Sequence, residues 1–134
     1  MAKIKVSDVE TANWIRAIDT ATPDIADRLD EEQANALINV HAEGSDDRLQ
    51  LFEVKLPPNM KQTVHAHDHD EIIYVVAGAM RVGNRMLKPG SSIFIAGETF
   101  YSFEAGPEGL QFLNFRPCKD VSYILPKPAE AAAG

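Results

Sequence analysis

The stretch His65-Ala-His67-Asp-His69-Asp-Glu71-Ile-Ile-Tyr-Val-Val-Ala-Gly78 decides how this chain is read. Three of the four histidines in the 134 residues fall within five positions, and Glu71 follows two residues after the last of them. Imidazoles and a carboxylate at this density are the material of a transition-metal site. An apolar run, Ile72 to Ala77, then closes on glycine, which is the texture of a strand. A polar turn ahead of an ordinary strand is the competing reading, and the surrounding sequence separates the two.

Side chains alternate along a strand, so His65, His67, His69 and Glu71 would share one face. A straight strand would spread them over roughly 20 Å, at about 3.3 Å per residue. Metal–ligand bonds are only about 2 Å long, so one ion cannot take all four. A turn at Asp68-His69-Asp70 removes the difficulty. His65 and His67 then reach inward from one strand, Glu71 reaches back from the next, and His69 stays in the turn. Two imidazoles and one carboxylate on one side of an ion, with open positions opposite, make the facial triad of non-haem Fe(II) oxygenases. Fe(II) is the favoured ion, and Mn, Ni or Zn would accept the same ligands.

The flanking sequence supplies strands. Ala36–Val40 runs into the turn-rich Gly44-Ser-Asp-Asp47, with His41 at the strand end. Leu49–Leu56 alternates until Pro57-Pro58 stops it. After Gly78 come Met80–Val82, Arg85–Leu87, Ser92–Ile95, Phe100–Glu104, Leu110–Arg116 and Val121–Leu125, separated by Gly- and Pro-containing turns. This spacing predicts an all-β sandwich or barrel, and a small barrel can hold a ligand or metal among its inward side chains. Upstream, Lys3–Val6 alternates like a short strand, Trp14 is a packing residue, and Pro23-Asp24 opens a short helix within 24–35.

Bulk properties narrow the function. The length suits one domain. A net charge of −7 argues against nucleic acid or an anionic membrane as the main partner. The single cysteine, Cys118, allows no intrachain disulfide and fits a reducing compartment, so a cytoplasmic protein is expected. No apolar stretch approaches membrane-spanning length.

The run His65-x-His67-x3-Glu71-x6-Gly78 resembles the first cupin motif, HxH(x)3–4E(x)6G, at every defining position. The resemblance implies a double-stranded β-helix, the cupin or jelly-roll β-barrel, over residues 36–125. Residues 1–35 would be an N-terminal extension and 126–134 a flexible tail. It also implies His65, His67 and Glu71 as metal ligands and a homodimer, with Ile72, Tyr74 and Val76 as outward-facing candidates for the contact. The second motif, G(x)5PxG(x)2H(x)3N, is degenerate here. Laid down from Gly90, it puts Ala96 at the proline, Glu98 at the second glycine, Tyr101 at the histidine and Ala105 at the asparagine. A shifted register puts Phe100 at the histidine. In both, the usual fourth ligand is missing.

Tyr101 could serve as a phenolate ligand, a general acid/base, or a wall residue. Arg81, Arg85, Asn114 and Arg116 lie on strands and could reach a pocket, while Glu98 suits the surface and Cys118 an incidental thiol. Two functions are carried forward. One is a metal-dependent small-molecule enzyme of dioxygenase, lyase or isomerase type, with Tyr101 as catalytic candidate. The other is a non-catalytic barrel that binds or senses a small ligand with a weakened metal site.

Overall fold

The structure, a computed structural model, describes residues 3–19, 23, 33 and 35–127. Its framework is antiparallel: β1 (Trp14–Arg16), β2 (Leu37–Ala42), β3 (Gln50–Leu56), β4 (Glu71–Val82), β5 (Arg85–Leu87), β6 (Ser92–Ile95) and β7 (Glu104–Arg116). They hydrogen-bond in the order β1-β2-β3-β7-β4-β5, with β6 on β4. Isolated bridges, Lys61 with Glu104, His65 with Tyr101 and Ala66 with Ile124, draw the intervening segments onto this framework. The outcome is an all-β barrel, as the strand spacing predicts, of the jelly-roll kind that the resemblance implies.

Period-two alternation decides what the barrel encloses. On β3, Gln50, Val54 and Leu56 are buried while Lys55 is exposed; on β4, Glu71, Ile73 and Val75 are buried while Ile72, Tyr74 and Val76 face out. β7 continues the pattern with Leu110, Phe112, Asn114 and Arg116 inward. Val54, Leu56, Met60, Ile73, Val75, Met80, Phe103, Leu110 and Phe112 form one apolar core. Each such side chain contributes on the order of 2 kcal/mol by leaving water.

Several strand boundaries differ from expectation. Lys3–Val6 forms no strand; Ile4 and Val6 are more than four-fifths exposed, so nothing there rewards alternation. The first strand is instead Trp14–Arg16, paired with β2 through Trp14–Asn39. Trp14 is only half-buried, and Lys55 Nζ stands 4.1 Å from its ring centroid. The run 72–82 is one strand rather than two, and Glu104–Arg116 passes straight through Gly106-Pro-Glu-Gly109. Of Phe100–Glu104 only Glu104 lies in a strand, and of Val121–Leu125 only Ile124 makes a bridge. The helix expected within 24–35 lies outside the described residues, apart from Gln33 and Asn35, whose backbone is helical. Residues 128–134 of the expected tail also lie outside them.

Gly78, the last position of the opening stretch, has a steric reason to be glycine. Its φ is +72°, and a Cβ there would stand 2.2 Å from the Gly109 carbonyl oxygen. It sits where β4 slips register against β7, between the partners Gly78–Leu110 and Met80–Ala105. The slip bends the long strand pair, as β-bulges do.

Candidate functional site

The chain turns at Asp68–Asp70, and hydrogen bonds to two neighbouring segments fix the turn. Glu98 N donates to the His67 carbonyl at 2.6 Å, and Gly97 N donates to Asp70 Oδ1 at 2.8 Å. Asp120, 5% exposed, accepts from His69 N at 3.0 Å and lies 3.1 Å from His69 Nδ1. Burial pushes the Asp120 carboxyl up, but hydrogen bonds from Ser122 and His69 outweigh it and hold its pKa at about 2. His69 is therefore tied to Asp120, away from the barrel interior.

His65 and His67 point inward. His65 Nδ1 lies 2.6 Å from the Thr63 carbonyl, and His67 Nδ1 lies 2.6 Å from the Ser122 carbonyl. A carbonyl only accepts, so each Nδ1 carries the proton. Burial pushes both imidazoles down, His65 to about 4, so both are neutral at pH 7 and each Nε2 holds a lone pair. This fixing of the far nitrogen by a carbonyl is how metal-ligating histidines are oriented.

Glu71 is 2% exposed and begins β4 opposite Ile95 of β6. Asn114 Nδ2 donates to its Oε2 at 2.8 Å and Arg116 Nη2 approaches the same oxygen at 3.3 Å. Glu71 Oε1 is buried and has no hydrogen-bond partner among the described residues. Arg116, 8% exposed, is held on three further sides. Its Nε donates to Asn114 Oδ1 at 3.0 Å, its Nη1 to the Asp120 carbonyl at 2.7 Å, and its Nη2 to His67 Nε2 at 3.2 Å.

Tyr101, not Phe100, takes the place beside the histidines. Backbone hydrogen bonds pair it with His65, and the two rings lie 4.7 Å apart. Tyr123 stacks on the other side of His65 at 4.6 Å. Burial first, and then the Glu71 charge, push the Tyr101 phenol far up, so it stays protonated. Phe100 is substantially exposed, as are Glu98, Arg81 and Arg85, with Arg81 directed at Glu104.

The fit to a metal ion rests on these contacts. Two neutral imidazoles with fixed Nδ1 protons and a buried, unpartnered carboxylate oxygen are the donors a divalent ion takes. They do not converge as they stand. His67 Nε2 is 4.0 Å from Glu71 Oε1, and no three His, Cys, Asp or Glu side chains among the described residues are placed to hold an ion together. The Arg116 guanidinium sits between two of them. As placed, the donors do not close on an ion.

A cavity of about 600 Å³ opens beside this corner. Its walls include Ile38, Phe52, Val54, Met60, Phe103 and Phe112, and its polar end includes His67, Tyr101, Asn114, Arg116 and Tyr123. His65 and Glu71 are not part of the wall. Sequence reasoning left Asn114 and Arg116 unassigned and did not single out Asp120, Ser122 or Tyr123. A signal for the first two existed, because Phe112-x-Asn114-x-Arg116 places two polar residues on the inward side of an apolar strand.

Fold and site define a small antiparallel barrel with a polar corner beside an apolar cavity. That architecture is the cupin fold. A cupin-2 domain from Rhodospirillum rubrum superposes with a TM-score of 0.67 over 96% of this chain and 84% of its own, at 18% identity. KdgF from Halomonas sp. is 29% identical, covering 66% of this chain and 84% of its own, with a TM-score of 0.53. The polyketide cyclase RemF from Streptomyces resistomycificus is 24% identical over 75% of each chain, with a TM-score of 0.57. No protein-family model and no curated protein matches the chain. No helix among the described residues is long and apolar enough to cross a membrane.

Proposed function

We propose that this barrel is a metal-dependent enzyme acting on a small molecule, with His65, His67 and Glu71 as ligands of one divalent ion. Fe(II) is favoured, and Mn, Ni or Zn are compatible. The carrying observation is the pair of neutral imidazoles, each fixed through Nδ1 on a carbonyl, beside the unpartnered Glu71 Oε1. A bound ion would supply Lewis acidity or, if redox-active, O2 activation. The chain's own residues do the rest. Ser122 and Thr63 orient the imidazoles, and Asn114 holds Glu71. The aromatic walls exclude water, and Tyr101 keeps a phenolic proton at the cavity edge as a donor. RemF, a polyketide cyclase on the same fold, supports an enzymatic reading; we infer a reaction of the dioxygenase, lyase or isomerase type.

One observation favours a second reading. Arg116 Nη2 donates to the His67 lone pair that an ion would need, and neither His65 nor Glu71 lines the cavity. In a barrel that binds or senses a ligand without metal, Arg116 would stay as the resident cation. Elemental analysis of tag-free protein distinguishes the two. The enzyme reading expects about one transition-metal ion per chain, lost in His67→Ala. Protein that is metal-free and does not take up Fe, Mn, Ni or Zn would leave the second reading standing.

A further inference from the structure

We propose that the cavity takes an uncharged ligand, a largely aromatic body of a few rings carrying a hydroxyl or carbonyl group, because the charges at its polar end already have partners. The inference rests on the small-molecule part of the reading above and not on the ion. Among the described residues, Arg116 is the one Lys or Arg in the cavity wall. Each of its three nitrogens is engaged: Nε by Asn114 Oδ1, Nη1 by the Asp120 carbonyl, and Nη2 by His67 Nε2 and, at 3.3 Å, by Glu71 Oε2. Phe52 covers its face, with the ring centroid 4.9 Å from the guanidinium carbon. A guanidinium held this way has its charge paired by Glu71 and offers no open fork to an entering carboxylate. Asp120 is the carboxylate of the wall, and its oxygens accept from Ser122 N at 2.9 Å and His69 N at 3.0 Å. An ammonium would meet the Arg116 guanidinium at the same end and an Asp120 whose oxygens are both taken. A charge that enters an apolar pocket unpaired loses its hydration and regains nothing.

Uncharged groups remain for a ligand head. Tyr101 and Tyr123 bring phenols to this end of the wall, their rings 4.7 and 4.6 Å from that of His65. A phenol donates one hydrogen bond and can accept others, so each keeps capacity for a ligand beside its contact with Glu71 or Thr63. Such groups recognise a hydroxyl or a carbonyl and supply no charge. The ligand's body follows from the remaining wall. Phe103 stacks with Tyr101 at 6.1 Å and stands edge-on to Phe112 at 5.5 Å, so one aromatic wall runs from the polar end into the apolar one. Rings pack on such a wall by offset or edge-to-face contact. The volume of about 600 Å³ falls within the roughly 300–1,000 Å³ of small-molecule sites and leaves room for more than one ring.

The test uses the full chain as purified and ligands that share one body and differ in the charge of the head: naphthylmethanol, naphthoate and naphthylmethylammonium. By calorimetry the alcohol is expected to bind at least about tenfold more tightly than either ion. Ile38→Trp fills the cavity with an indole and should weaken the alcohol by at least about tenfold. Val40→Trp, at the half-exposed rim of the same cavity, should weaken it by at least about threefold and keeps the location testable if Ile38→Trp does not fold. Either ion binding as tightly as the alcohol would overturn the proposal. So would an alcohol affinity unchanged in the cavity variants, or no binding of any of these ligands. Metal content of the same preparation is read separately. A chain with about one ion that prefers naphthoate overturns this inference with the metal reading intact. A chain that takes up no ion and prefers the alcohol upholds it while the metal reading fails.

Discussion

At the scale of single residues, burial governs the site. His65 is 4% exposed and its pKa falls to about 4, below the unfolded value of about 6.5. Between those values the unfolded chain binds the proton and the folded one does not, so stability rises with pH. Metal-stripped protein should therefore lose up to about 3 kcal/mol from this group as the pH falls from 6.5 to 4. Asp120, held at about 2, carries the loss further, its contribution disappearing as the pH drops through that value. Urea melts across this range should show the first loss reduced in His65→Asn; an unchanged slope would place the titration elsewhere. Tyr101 gives a second prediction. Its ring stands beside His65 in the cavity wall, and as a wall residue rather than a ligand it predicts that Tyr101→Phe leaves Mn2+ affinity within about twofold of wild type. A Kd weakened by about tenfold or more would make the phenolate a ligand. The pair His65 and His67 with Glu71 could be read in advance because alternation and one turn suffice to bring them near each other. Arg116 could not be chosen, since Arg81, Arg85 and Arg116 all lie on strands and only the register assigns faces. The carbonyls of Thr63 and Ser122, which set both tautomers, leave no trace in side-chain identity.

At the scale of elements, glycine misled the sequence reading and then explained the structure. Gly78-Ala79 and Gly106–Gly109 look like turns, yet β4 and β7 run through them, because their bulges face each other and bend the pair together. Gly78→Ala should therefore cost about 3 kcal/mol, combining a left-handed backbone with a Cβ 2.2 Å from the Gly109 oxygen. Gly83 has a similar φ, +61°, but nothing within 4 Å of its would-be Cβ. Gly83→Ala should cost only about 1 kcal/mol. Equal losses in denaturant titrations would mean that the close approach of β4 to β7 is unimportant. The last segment was misread for a different reason. Residues 121–125 have strand-like composition, but Ser122 joins Asp120 in holding the 65–70 turn, leaving only Ile124 to bridge Ala66.

At the scale of the whole molecule, the barrel was legible because many short alternating strands have few ways to bury one face each. The outer face was legible in part: Ile72, Tyr74 and Val76 are expected to face out and do, while Phe94 and Phe115 join them only through strand order. β4 lies between β6 and β7, so Ile72 has Phe94 and Phe115 as register partners, with Tyr74 two residues along. These side chains are 45%, 65%, 42% and 42% exposed. A contiguous aromatic and aliphatic face at the middle of a sheet is the kind of surface that a second copy covers in an isologous contact. We propose a homodimer through this face. The protein should then elute from a sizing column at about twice its 14.7 kDa mass. Phe94→Glu places a charge at the centre of the contact while leaving the interior untouched. It should give a monomer at micromolar concentration with an unchanged circular dichroism spectrum and unchanged Mn2+ uptake, because the ligand corner lies on the opposite side of β4. A dimer that persists in Phe94→Glu would move the interface off this face, and wild type that elutes as a monomer would leave the patch uncovered by its own kind.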